Sequence, residues 1–243
     1  MCLLILNQTS LISKKHLKNS WENNSHGGGI SYVKTDKRSR TNELVIRKYT
    51  EFEDFYDSYR DARQSTNMPM ILHFRISSSG ARGYDNIHPF FVRDGKVAMG
   101  HNGTIQSLGD DEVSDSRQLA QIIGTFKGNS IYMLNHSGLN QLINAVISSS
   151  KLVFIDAQGN FKIFNEHIGH WTANGDWMSN DSYKKLNNWV YQGNKKVSKY
   201  SVTSADVRIT GDNDYLGKPR TKDLWDELNE EQFNLETNTW EKI

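Results

Sequence analysis

Apolar and polar positions along the first two thirds of the chain recur with periods that sort into strands and helices. Cys2-Leu3-Leu4-Ile5-Leu6-Asn7 is a short apolar run with a β-branched Ile5 and predicts a strand, followed by a polar loop rich in Ser, Lys and Asn. Asn23-Asn24-Ser25-His26-Gly27-Gly28-Gly29 reads as a turn cluster, after which Ile30-Ser31-Tyr32-Val33-Lys34 alternates as a strand. Thr35–Thr41 is a charged loop and Glu43–Tyr49 another strand. Glu51–Arg63 places Phe52, Phe55, Tyr56 and Tyr59 at helical spacing, which predicts an amphipathic helix. Met70–Phe74 and Val97–Gly100 fit short buried strands. Asp115–Ile123 and Leu139–Ile147 have helical periodicity without internal Pro or Gly. Lys151–Asp156 and Asn160–Asn165 flank Ala157-Gln158-Gly159, a hairpin signal. Strands arriving in runs, with helices grouped between them, favour α+β layering over a βαβ alternation.

Composition narrows the class. The 243 residues are 36% hydrophobic and 23% charged, which suits a globular protein with a buried core, and the formal net charge of +1 gives no global pull towards nucleic acid or anionic lipid. No apolar run approaches the roughly 20 residues of a membrane span, so the expected location is cytoplasmic. From about Ser182 the chain becomes more polar and its last residues acidic; we expect a main domain over 1–182 and a polar extension over 183–243. The extension interleaves bases and aromatics around Tyr183–Tyr191 and Lys195–Tyr200. Such a pattern can stack on single-stranded nucleic acid, but a solvated surface balanced by the acidic tail is the preferred reading. Eight histidines show no metal-ligand spacing, so neither metal nor cofactor is expected.

The candidate chemistry starts at Cys2, the only cysteine. Initiator Met is removed when the next residue is small, which would leave Cys2 as a terminal nucleophile with its own α-amine as base. An α-amine of pKa near 7.7–8.0 and a thiol near 8.5 exchange a proton at little cost. Four further segments are individually weak. His73-Phe74-Arg75-Ile76-Ser77-Ser78-Ser79-Gly80 puts Arg75, a planar fork for a carboxylate, between a strand and a Ser/Gly loop. Asn86-Ile87-His88-Pro89 offers a histidine that alone would be structural. Gly100-His101-Asn102-Gly103-Thr104 is either a hairpin turn or an oxyanion hole built from the Asn102 amide and the Gly103 N–H. Val113-Ser114-Asp115-Ser116 opens a helix and is explained equally by capping.

As an ordered set across roughly Cys2–Ile123, these segments resemble the glutaminase domain of class II glutamine amidotransferases, within the N-terminal nucleophile hydrolases. The resemblance rests on Met1-Cys2, the Asn24–Gly29 turn, the His73–Gly80 loop, His88-Pro89, His101-Asn102-Gly103 and Ser114-Asp115-Ser116; Lys151 onward and Trp177-Met178-Ser179-Asn180 look like the family's closing strands. It implies a four-layer αββα sandwich of two stacked antiparallel sheets. It implies Cys2 as nucleophile, Asn102 and Gly103 as oxyanion hole, and Arg75 on the α-carboxylate of glutamine. Asp115 would take the α-amino group, His88 a supporting role, and Ser78 a place in the loop over the substrate. The sequence departs from the family pattern at His26, where an Asp is usual, and at Ile76 and Ser78, where Trp and Thr are common; these put the tightness of the glutamine pocket in question. Since the 60 residues after Tyr183 leave no room for a synthase domain, the resemblance points to a stand-alone glutaminase that supplies ammonia to a separate synthetase or acceptor protein. An N-terminal Cys acylase of another amide, and an inactive binding protein of the same fold, are the competing readings.

Overall fold

The computed structural model describes residues 2–36, 38–76 and 83–185, together with the backbone of four strands beyond them. Chain contacts divide it into two units, Met1–Tyr183 and Lys184–Ile243.

The first unit mixes helices with two antiparallel sheets. One sheet has the strand order β3-β2-β4-β1-β10-β9, made of Thr41–Tyr49 (β3), Gly28–Asp36 (β2), Met70–Phe74 (β4), Leu3–Asn7 (β1), Trp177–Met178 (β10) and His170–Trp171 (β9). The other has the order β5-β6-β7-β8, made of Phe90–Arg93 (β5), Val97–Asn102 (β6), Lys151–Asp156 (β7) and Phe161–Phe164 (β8). All five residues of β1 are buried. A strand buried on both faces reads as a continuous apolar run, because neither face meets water. Leu4 and Leu6 join Val33, Leu44 and Ile71 of their own sheet in one core with Ala98, Val153 and Ile155 of the other. Those two inner faces therefore meet across β1 and β6. The outer face of the second sheet packs Val97, Met99, Leu152 and Phe154 against Leu119 and Ile123 of helix α3 (Asp115–Gly124) and Leu139, Ile143 and Ile147 of helix α4 (Ser137–Ile147).

Helix α1 (Lys14–Asn23) and helix α2 (Phe52–Ser65) serve the first sheet through aromatic rings. Phe55 lies 5.0 Å from Phe74 by ring centroids, and Trp21 lies 5.6 Å from Phe55 and 6.4 Å from Phe74. Helix α1 corrects the expected polar loop. Ser13 caps it by accepting from the His16 N–H, and its inward face carries His16, Asn19 and Ser20 beside Leu17, so its stripe is polar and hides from a hydrophobicity pattern. β5 was likewise not expected, and Thr35–Thr41 is less a loop than a hairpin. Thr35 and Asp36 pair with Asn42 and Thr41, and Asp36 closes the turn by accepting from the Arg38 N–H at 2.8 Å and the Ser39 hydroxyl at 2.8 Å.

In the second unit β11 (Trp189–Gln192) pairs with β12 (Lys195–Ser198), and β13 (Glu231–Asn234) with β14 (Thr239–Lys242), both antiparallel. Among the described residues no helix is long and apolar enough to cross a membrane.

Candidate active site

Cys2 precedes β1, at the end of the strand where Leu3 pairs with Phe74. Its half-buried thiol lies against the chain that leaves β4: Sγ accepts from the Ile76 N–H at 3.3 Å and reaches the Ile76 carbonyl at 3.2 Å. Burial pushes the thiol pKa up, while the Ile76 N–H and the Arg75 charge pull it back and the Asp115 charge raises it.

Arg75 is 3% exposed. Its backbone is zipped to the glycine turn, the Arg75 N–H donating to the Gly27 carbonyl at 2.8 Å and the His26 N–H donating to the Arg75 carbonyl at 2.9 Å. The glycines are needed for proximity: a Cβ at Gly29 would collide with the His88 carbonyl. Ser78 and the rest of the expected substrate loop, residues 77–82, lie outside the described residues.

Asn102 ends β6 and is buried, its Nδ2 donating to the Ser179 hydroxyl at 2.6 Å. The same hydroxyl accepts the Leu4 N–H at 2.9 Å, so one oxygen joins Asn102 to the strand that carries Cys2. Gly103 has φ 151°, and any Cβ there would run into the Ser150 side chain. Only glycine lets the chain turn here with its amide beside Asn102.

Asp115 sits in the first turn of α3, under the Ser114 cap. Its Oδ2 accepts the Ile105 N–H at 2.7 Å, and its Oδ1 accepts the Ser116 N–H at 2.7 Å and the Ser116 hydroxyl at 3.0 Å. The Ser116 oxygen is also 2.6 Å from His101 Nδ1, which makes that nitrogen the donor once the hydroxyl hydrogen points to Asp115. These bonds immobilise the carboxylate and leave capacity on its oxygens for a further donor.

His88 is part of a buried stack. It lies 4.0 Å from His73 by ring centroids and 6.1 Å from His101. His73 Nε2 and His88 Nδ1 both approach the His101 carbonyl at 3.0 Å, and a carbonyl only accepts, so both nitrogens carry hydrogen. Burial drives His73 down to about 3 and His101 to about 4, and His88 well below the ordinary histidine value. All three are neutral near pH 7; His73 and His88 hold the His101 backbone next to Asn102, and the His101 ring holds Ser116. The structure so brings Cys2, Arg75, Asp115, Asn102 and Gly103 to neighbouring strand and helix ends, with His88 bonded to the His101 carbonyl beside Asn102. Sequence reasoning placed Ser179 and Asn180 only in a closing strand, yet both contact the first residues of the chain: Asn180 Nδ2 donates to the Cys2 carbonyl at 2.8 Å. A Ser-Asn pair has no spacing signature that would have revealed this.

Among solved structures the chain is similar to class II glutamine amidotransferase domains. One is the glutamine phosphoribosylpyrophosphate amidotransferase from B. subtilis complexed with ADP and GMP, at 15% identity and a TM-score of 0.40, covering 73% of this chain and 41% of that one. A second is an allosteric regulatory enzyme of purine biosynthesis, at 13% identity and a TM-score of 0.41 over the same shares. A third, a glutamine aminotransferase class-II domain protein from Silicibacter pomeroyi, matches at 11% identity and a TM-score of 0.39, covering 73% of this chain and 87% of that one. The chain thus spans about two fifths of the length of the first two. No protein-family model matches it, nor does any curated protein. Overlaps this loose assign no residue a role, and the chemistry rests on the site's own geometry.

Proposed function

We propose that the chain hydrolyses the side-chain amide of glutamine through a Cys2 thioester, once Met1 has been removed, on an N-terminal nucleophile hydrolase fold of four αββα layers. The observation that carries this reading is the geometry around one thiol: Cys2 Sγ lies on Ile76, next in the chain to the buried Arg75, Asn102 is tied to the same strand through Ser179, and a fixed Asp115 is joined through Ser116 to His101 beside Asn102. A free α-amino acid is a zwitterion, and a site that binds one must hold a cation and an anion apart. In this reading Arg75 pairs with the α-carboxylate and Asp115 accepts from the α-amino group.

The steps balance with this chain's groups alone. The α-amine of Cys2 takes the thiol proton and Sγ attacks the amide carbon, the negative charge going to the carbonyl oxygen. Asn102 Nδ2 and the Gly103 N–H donate to that oxygen, the kind of stabilisation whose loss costs about 2.7–4 kcal/mol per donor. On collapse the amide nitrogen takes the proton from the amine, the C–N bond breaks, ammonia leaves and a thioester remains. Water then attacks the thioester carbon, giving a proton to the amine; the C–S bond breaks, Sγ takes that proton back, and glutamate leaves. His88 supports the site by holding the His101 carbonyl, and Ser78 belongs to the loop that covers the substrate. Since free ammonia is quickly protonated near neutral pH, a separate synthetase or acceptor protein is its proposed consumer, and the polar segment 183–243 a distinct part of the chain.

Cys2→Ala is expected to abolish ammonia release from glutamine, measured by coupled assay, in protein whose intact mass shows loss of Met1. Full activity in Cys2→Ala would overturn the nucleophile assignment. Equal turnover of acyl amides that lack an α-carboxylate would transfer the reading to an acylase.

A further inference from the structure

A nucleophile inside a chain is held by the backbone on both sides, whereas a terminal residue is held on one. After loss of Met1, the Cys2 carbonyl is the last backbone group whose fixation can set the direction of both the thiol and the amine. In this structure that carbonyl is gripped from the other end of the unit. Asn180 Nδ2 donates to it at 2.8 Å, while Asn180 Oδ1 accepts from the Ser182 N–H at 2.9 Å and the Ser182 hydroxyl at 2.7 Å. The Ser182 oxygen also receives Asn24 Nδ2 at 3.2 Å. Two donors on one side and a carbonyl on the other dictate which way the Asn180 amide faces, so it stands ready to hold Cys2 rather than choosing between two orientations.

Ser179 does the same for the proposed oxyanion donor. Its N–H donates to the Leu4 carbonyl at 2.9 Å and its hydroxyl accepts from the Leu4 N–H at 2.9 Å, which makes it a ladder partner of the strand that starts at Cys2. The same hydroxyl accepts from Asn102 Nδ2 at 2.6 Å, and Ser179 is 1% exposed. The offset between nucleophile and amide is therefore set through a single buried oxygen, shared by both sheets. Supporting groups of this kind keep a site within the narrow tolerance that reactivity demands.

We infer that Ser179 and Asn180 are positioning residues for amide cleavage, Asn180 orienting Cys2 and Ser179 setting the Asn102 amide relative to it. The inference rests on the glutaminase reading for its substrate. Its geometric half, the hold on Cys2, can be read without one, because the single cysteine makes thiol alkylation report on Cys2 alone.

The test uses the full chain with Ser179→Ala, Asn180→Leu and, as a smaller replacement at the same half-buried position, Asn180→Ala. Thermal melting establishes that each is folded. For Ser179→Ala and both Asn180 variants, kcat for glutamine is expected to fall roughly tenfold with KM within about twofold, since neither side chain is assigned to grip glutamine. Iodoacetamide uptake at pH 7, followed by mass, is expected to change at least about threefold in the Asn180 variants, towards faster labelling as Sγ escapes its half-buried seat and becomes open to the reagent. It should stay within about twofold in Ser179→Ala, whose hydroxyl contacts Leu4 and Asn102. Unchanged kcat and unchanged alkylation in folded variants would overturn the inference, as would a matched rise in KM. Should wild-type protein release no ammonia while Asn180 variants still shift alkylation, the substrate reading fails and the hold on Cys2 stands.

Discussion

The thiol of Cys2 rests in its protonated form, raised by burial and only partly relieved by the Ile76 N–H and Arg75. Activation in the proposed chemistry therefore falls to the α-amine of the same residue, which needs no pre-formed thiolate. Around it, the proposed roles of two residues divide binding from catalysis. Arg75 is assigned to the ground-state carboxylate, so Arg75→Ala is expected to raise KM for glutamine roughly tenfold or more with a smaller effect on kcat. Asn102 is assigned to charge that exists only in the transition state, so Asn102→Ala is expected to lower kcat about 10²–10³-fold with KM nearly unchanged. Steady-state kinetics on glutamine separate the two; a swapped pattern would reverse the assignments. Sequence reasoning singled out Cys2, Arg75, Asn102 and Asp115 because their residue types carry chemistry, and the roles proposed for them await the kinetics above. It stopped short at Ser179 and Asn180, ordinary polar residues whose importance comes only from what β10 brings them against.

Among the elements, strands and helices with a one-sided apolar pattern were legible, and those whose inward face is polar were not. Helix α2 shows its rings at helical spacing and buries Phe55, Tyr56 and Tyr59, whereas α1 turns His16, Asn19 and Ser20 inward and leaves Leu17 and Trp21 to mark it. The strand β5 is four residues long, with Phe91 facing outward, too short for its period to register against the preceding turn. The aromatic seam between these helices and the first sheet centres on Phe55, fully buried between Trp21 and Phe74. Phe55→Ala removes that ring from both contacts and is expected to cost about 3–5 kcal/mol in chemical denaturation. A loss under roughly 1 kcal/mol would mean that α1 and α2 are not seated on the sheet as described.

For the molecule as a whole, the buried histidines set the acid limit of the fold. His73 at about 3, His16 and His101 at about 4, and His88 well below the ordinary range all lie under the value of about 6.5 that histidine has when unfolded. Between pH 6.5 and 4 the unfolded chain binds protons that the folded chain refuses, so the stability present above pH 6.5 is lost progressively as pH falls. Asp176 works in the opposite direction, burial raising it to about 6, so its ionisation costs stability as pH climbs from about 4 to 6. Four histidines outweigh one carboxylate. The thermal midpoint at pH 5 is expected to lie at least about 5 °C below that at pH 7.5, and an equal or higher midpoint at pH 5 would show that the stack is not kept neutral.

The first strand borrows one of its two neighbours from residues 177 and 178, and the Cys2 carbonyl borrows its anchor from residue 180. During synthesis the start of the chain emerges long before those residues exist. Until they leave the ribosome, one edge of β1 stays open and the Cys2 carbonyl lacks its Asn180 anchor. The proposed removal of one methionine and the assembly of the pocket would thus be separated in time, with the second event waiting on nearly the whole first unit.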